Sequence, residues 1–199
     1  DAAVRALLDE GRAEKLTAAL EGFDLLYVSG VTLAILSPSS RDVLLELLKL
    51  SRSSGARVAF DSNYRPRLWN DVEEARNVIE QFGSIASIVL PSRSDEESLY
   101  SERGPREIAA RWFEWGVEEV VIKDQAAAAW IFTADNTEII PAHPVKEVVD
   151  TTAAGDSFNG TYLACRLEGS SVGEAAEAAH RIAAHVICHR GAVVPATGY

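Results

Sequence analysis

The sequence predicts an α/β fold: a mainly parallel sheet covered by helices on both faces and finished by antiparallel edge strands. Short apolar runs that do not alternate, such as Leu25-Leu26-Tyr27-Val28 and Val120-Val121-Ile122, suit strands buried on both faces. Between these runs lie stretches with apolar residues three and four apart, the spacing of amphipathic helices. After Lys123 the helical intervals stop, and apolar stretches follow one another across loops too short for a parallel crossover.

In order, Ala2 to Leu20 has helical spacing (Val4, Leu7, Leu8, Leu16, Leu20), and Leu25 to Ser29 is a buried strand closed by a turn at Gly30. Asp42 to Leu50 is a helix ended by Ser53-Ser54-Gly55, and Arg57 to Asp61 is the next strand. Val72 to Phe82 is a helix and Ser87 to Leu90 a strand stopped by Pro91. Pro105 to Trp115 is a helix and Glu119 to Lys123 a strand. Ala129 to Thr133, Thr137 to Pro141 and Lys146 to Val149 read as antiparallel edge strands. Helices at Ser157 to Leu167 and Val172 to His189 complete the pattern. Open parallel sheets bind ligands at the carboxyl ends of their strands, so Gly30, Asp61, Pro91, Lys123 and the turn before Asp156 are expected along one rim.

With 199 residues, 47% hydrophobic and 25% charged, the chain can bury one good core and is expected to form one domain. Nineteen basic against 30 acidic residues give a formal charge of −11, which argues against nucleic acid as a partner. No apolar run reaches the length of a membrane span, and Cys165 and Cys188 lie inside helical patterns, so a reduced, cytoplasmic setting is expected without a bridge between them. The chain starts at Asp1 and holds no methionine, where several are ordinary, which suggests a piece of a longer protein and puts every spacing at risk of an omitted position.

The most informative run is Asp150-Thr151-Thr152-Ala153-Ala154-Gly155-Asp156-Ser157-Phe158-Asn159. Ala153, Ala154 and Gly155 have almost no side chain, so their N–H groups can approach an anion closely at the positive end of the following helix. Asp156 is then placed to take a proton from an attacking hydroxyl. An acid before an apolar helical run is also a routine N-cap, and on chemistry alone both readings stand. The spacing Gly155-x-x-x-x-Gly160-Thr161 imitates a P-loop but lacks its lysine, so that reading fails.

The full run resembles the C-terminal signature of the ribokinase-like (PfkB) carbohydrate kinases, departing from it at Thr161. The resemblance covers nearly all 199 residues and implies the C-terminal portion of one ribokinase-like domain, lacking the N-terminal part that supplies the first strands, the lid and most sugar contacts. It implies ATP and Mg2+ as cofactors and a small sugar or sugar acid as substrate, while the absence of a long apolar run argues against a membrane partner. It leaves homo-oligomerisation and the activity of this piece alone open. Asp156 would be the base, the N–H groups of Ala153 to Asp156 would stabilise the transferred phosphoryl, and Asp150 and Thr152 would face a monovalent cation.

Three further stretches refine the resemblance. Asp61-Ser62-Asn63-Tyr64-Arg65-Pro66-Arg67-Leu68-Trp69 is by chemistry alone equally a solvated loop, yet it looks like the loop of the family's 2-keto-3-deoxygluconate kinases and fructokinases. That likeness implies Arg65 at the junction of sugar and triphosphate and Asn63 near the nucleotide. Tyr27 to Leu36 and Leu90 to Glu96 look closer to the ketodeoxygluconate group. Asp95, three residues after Ser92, occupies the place of the acid that handles metal-bound water, and an acidic first helical turn explains it as well. Lys123-Asp124-Gln125-Ala126-Ala127-Ala128 stands where the family has a nucleotide loop with two glycines, replaced here by Gln125 and Ala128. Those losses favour a rival expectation, a descendant that binds a sugar without phosphorylating it.

Overall fold

The computed structural model describes residues 13–20, 22–101 and 104–194. Its strands follow chain order, β1-β2-β3-β4-β5-β6. The chain divides within β4 into two compact units, one up to Val120 and one from Val121, taken in turn.

The first unit holds β1 (Leu25–Ser29), β2 (Arg57–Asp61), β3 (Ile88–Val89) and the start of β4 (Glu119–Asp124). All three pairings are parallel, with Leu26 opposite Val58, Phe60 opposite Val89, and Val89 opposite Val120. Val58, Ala59, Phe60, Ile88, Val89 and Val120 are buried whichever way they point, so the sheet is covered on both faces as the unbroken apolar runs predict. The helices are α1 (Ala13–Leu20), α2 (Gly30–Ile35), α3 (Pro38–Ser53), α4 (Val72–Gly83), α5 (Arg93–Tyr100) and α6 (Pro105–Glu114). Side-chain caps set several starts: Ser37, Asp71 and Ser92 accept from the N–H of Ser40, Glu74 and Asp95, each cap being worth about 1 kcal/mol. Trp112 on α6 is fully buried edge-on to Phe60 at 6.2 Å. Gly83 makes room for it, since a Cβ there would lie 2.5 Å from the indole.

Several boundaries differ from expectation. The Ser37 cap and Pro38 start α3 four residues before Asp42. Gly30 opens a helix rather than a turn, and the eight-residue α5 follows β3 where the sequence shows only an acidic first helical turn. Residues 2–12 of the expected first helix lie outside the described residues.

The second unit holds the end of β4, β5 (Ala128–Thr133), β6 (Thr137–Pro141), α7 (Ala154–Leu167) and α8 (Val172–Val186). β5 and β6 are antiparallel, Trp130 opposite Ile139. α7 packs on α8 through Phe158, which stacks on Tyr162 and meets the His180 ring edge-on at 5.0 Å. Ala175, Ala176 and Ala179 of α8 are buried, their small side chains forming part of its packed face. A third edge strand at Lys146 to Val149 does not form. The N–H groups of Val149 and Asp150 donate instead to the Ile187 carbonyl just past α8, at 2.8 and 3.2 Å, so this extended segment caps a helix end. α7 begins at Ala154, three residues before the expected Ser157, and α8 ends at Val186 rather than His189. Cys165 and Cys188 are free thiols. Among the described residues no helix is long and apolar enough to cross a membrane.

Candidate active site

In the first unit the candidate residues gather where β1 and β2 end. A Cβ on Gly30 would overlap the carbonyl oxygen of Ser62, so only glycine lets the chain leaving β2 pass over the start of α2. Past that crossing Asn63 adopts φ +34°, a left-handed conformation that asparagine tolerates better than most residues. Its N–H donates to Asp61 Oδ1 (3.0 Å) and its side-chain amide donates to Ser29 Oγ (3.0 Å). The N–H of Tyr64 donates to Asp95 Oδ2 at 3.1 Å, and Arg65 Nη1 lies 3.7 Å from the same oxygen while donating to the Tyr64 carbonyl at 2.9 Å. The Arg65 side chain is 54% exposed, so its guanidinium reaches solvent with donors to spare. Arg65 and Asp95 are thus brought together, while Asn63, in the same loop, is held by Asp61 and Ser29.

The pKa of Asp95 is raised from its ordinary value. Burial is the main cause; the hydrogen bond with Ser92 opposes it, the Asp61 charge adds to it, and Arg65 and the Tyr64 N–H offset it further. A divalent cation beside Asp95 would favour its charged form. Among the described residues no three His, Cys, Asp or Glu side chains cluster as a metal cage. A single carboxylate suits a cation that keeps most of its water, as Mg2+ does, so the donor set fits.

In the second unit Lys123 and the turn before α7 come together. Lys123 Nζ donates to Asn159 Oδ1 at 2.9 Å and lies 3.9 Å from where a Cβ of Gly155 would be. Ala153 is the N-cap in a left-handed conformation, φ 61° and ψ 11°. The Ala154 N–H is taken by the Thr151 carbonyl (3.2 Å), and the Ser157 N–H makes the first bond of the helix, to Ala153 (2.9 Å). Between them the N–H groups of Gly155 and Asp156 have no preceding helical carbonyl to donate to, and the Lys123 ammonium lies beside them. The expected cradle of four amides is therefore narrower, because Ala154 is already engaged. Asp156 is the third residue of α7, not its cap. It is exposed, and its carboxylate makes no hydrogen bond or ion pair with any described residue.

Asp150 accepts from the N–H of Thr152 and of Gly191, both at 2.9 Å. Those bonds, with Gly191 contributing most, lower its pKa from 3.8 to about 2. Because the folded value is depressed, this contribution to stability is present above pH 3.8 and is lost as the pH falls through about 2. A carboxyl titration by NMR is expected to place the Asp150 midpoint near 2, and a midpoint near 3.8 would mean that the Gly191 and Thr152 bonds do not form in solution.

The missing glycines also find their explanation. Lys123 and Asp124 end β4, and a tight turn closed by Ala127 N–H to Asp124 O (2.9 Å) leads into β5. Gln125 holds φ +46° in that turn, the conformation for which a glycine is normally kept, and its side chain is exposed. Ala128, the first residue of β5, is buried opposite Pro141, so the milder replacement serves the hairpin. Gln125→Gly is expected to raise stability by up to about 1 kcal/mol through relief of left-handed strain, read as a higher midpoint in thermal unfolding. An unchanged or lower midpoint would show that Gln125 is not strained.

Two partners were not singled out by sequence: Ser29, which holds Asn63, and Asn159, which holds Lys123. Asn159 lies one helical turn after Gly155, a spacing that would have marked it. Ser29 is 34 residues from its partner and carries no local signal.

Comparison with known proteins gives a consistent result. The model of the family described as pfkB family carbohydrate kinase matches residues 2–197. A 2-dehydro-3-deoxygluconokinase of Escherichia coli K12 is 41% identical over 98% of this chain, which spans 64% of that relative's length. A fructokinase of Vibrio alginolyticus is 30% identical over 71% of this chain and 45% of its own. An Escherichia coli protein solved in complex with ATP and Mg2+ superposes with a TM-score of 0.79 at 26% identity, covering 88% of this chain and 56% of that one.

Proposed function

The chain belongs to the pfkB family of carbohydrate kinases, and from that premise we propose that its protein phosphorylates a hydroxyl of 2-keto-3-deoxygluconate with ATP. The observation that carries the reading is the start of α7, where Asp156 is exposed and makes no hydrogen bond or ion pair with any described residue, and where the Lys123 ammonium lies beside Gly155. Asp156 takes the proton as the sugar oxygen attacks the γ-phosphorus and ADP departs. The N–H groups of Gly155 and Asp156, together with Lys123, stabilise charge on the transferring phosphoryl, and Asn159 keeps the ammonium at that position. Mg2+, when bound, neutralises phosphate charge, and Asp95 would hold it through water. Asn63 serves the nucleotide side, as do the hairpin residues Gln125 and Ala128. Oxygen atoms of Asp150 and Thr152 would hold a monovalent cation. Residues 1–199 are read as one portion of a single kinase domain, in keeping with a family match from residue 2 to residue 197. The setting is cytoplasmic, where Cys165 and Cys188 stay reduced.

An acid sugar is favoured over a neutral one by Arg65, whose exposed guanidinium can take a carboxylate in two parallel hydrogen bonds. The likeness to 2-dehydro-3-deoxygluconokinases supports this choice, and the weaker likeness to a fructokinase supports the alternative. In the full-length protein, Arg65→Ala is expected to raise KM for 2-keto-3-deoxygluconate at least tenfold, ~1.4 kcal/mol, while KM for fructose moves little. Equal effects on the two sugars would assign Arg65 to the triphosphate or to the loop itself.

A further inference from the structure

We infer that Glu96 is a positioning residue for the loop that presents Arg65, acting through the hydroxyl of Ser62; this rests on the reading of Arg65 as the clamp for the substrate's carboxylate.

Glu96 has no exposed surface. It accepts from Ser62 Oγ at 2.6 Å, from Trp112 Nε1 at 3.2 Å and from Arg111 Nη2. Arg111 is walled by aromatic faces, with its guanidinium carbon 3.7 Å from the Tyr100 ring centroid and 4.5 Å from that of Trp115. Arg111 and Trp112 belong to α6, whereas Ser62 opens the loop after β2. A buried ion pair is a poor way to gain stability alone, since apolar residues of similar volume do as well. What this one adds is a fixed, charge-assisted acceptor under the loop. The neighbouring Asp95 adds a second tether through the Tyr64 N–H. At the far end Arg41 lies 5.0 Å from the Trp69 ring centroid and is paired at 2.7 Å with Glu74, which also accepts from the Asn70 N–H and side-chain amide. Between the anchors at Ser62 and Trp69 the Arg65 side chain projects into solvent. A clamp held this way loses less freedom when it binds, which lowers KM for the ligand it grips without any contact from Glu96.

A double-mutant cycle in the full-length protein tests the link. Ser62→Ala removes one hydroxyl and leaves Glu96 with Arg111 and Trp112. It is expected to raise KM for 2-keto-3-deoxygluconate about fivefold to tenfold, ~1–1.4 kcal/mol, with little change in KM for fructose. Added to Arg65→Ala it is expected to do no further harm, because it acts through the residue already removed. Additive effects, or an equal rise for both sugars, would overturn the inference while leaving Arg65's role standing. An Arg65→Ala enzyme with unchanged KM for the acid sugar would remove both. Should Ser62→Ala fail to fold, Ser62→Cys, nearly isosteric with a far weaker donor, runs the same cycle with the same criteria.

Discussion

Asp156→Asn in the full-length protein is expected to lower kcat by roughly 10²–10⁴, the usual contribution of a general base, while its thermal midpoint stays close to that of the parent. The two halves of that expectation have separate causes. The amide has nearly the shape of the carboxylate but cannot accept the hydroxyl proton at neutral pH. The fold has little stake in the side chain, since Asp156 is exposed and makes no hydrogen bond or ion pair with any described residue. Removing a negative charge from the first turn of α7 costs about 0.3–1 kcal/mol. A variant that keeps near-parental turnover would remove Asp156 from the chemistry. One that loses activity together with its fold would make it a structural residue.

Gly30→Ala is expected to have the largest effect on stability of any single methyl added to the first unit. Its Cβ would meet the carbonyl oxygen of Ser62, a backbone atom that cannot rotate away as a flexible side-chain end can. Overpacking of this kind costs about 1–3 kcal/mol and sometimes more, which in a domain of this size lowers the thermal midpoint by roughly 2–4 °C per kcal/mol. Ser62 leads into Asn63 and Arg65, so, on the proposed role of Arg65, the surviving folded protein is also expected to bind 2-keto-3-deoxygluconate less tightly. A midpoint within a degree or so of the parent, by calorimetry, would show that the two backbones are not in contact in solution.

The parallel strands were legible because β2 and β4 are buried on both faces, which forces unbroken apolar runs such as Val58-Ala59-Phe60 and Val120-Val121-Ile122. α2 was not, because its six residues begin at a glycine that reads as a turn, and the Ser29 hydroxyl that would mark a cap is given to Asn63. α5 is short and strongly charged, so its periodicity is faint, although Ser92 and the acids after it carried the start signal. Lys146 to Val149 alternates like a strand, but its backbone donors found the end of α8, a partner that no local pattern names. At the site, the small residues before Asp156 marked a tight turn into a helix, and α7 does begin among them, at Ala154. The left-handed backbones of Ala153 and Gln125 were hidden because glycine is the usual signal for them. The tethers from Ser29 to Asn63 and from Glu96 to Ser62 were hidden for a different reason: each spans 34 residues, with no local pattern to name the partner.

The most direct test is phosphoryl transfer itself, followed by phosphorus NMR on the full-length protein supplied with ATP, Mg2+ and either 2-keto-3-deoxygluconate or fructose. A phosphate ester is expected to form on the acid sugar with higher kcat/KM than on fructose, and the Asp156→Asn protein is expected to lose that signal. Binding of the acid sugar with no ester formed, in protein that also binds ATP, would contradict the reading and identify a sugar-binding descendant whose catalytic turn no longer works.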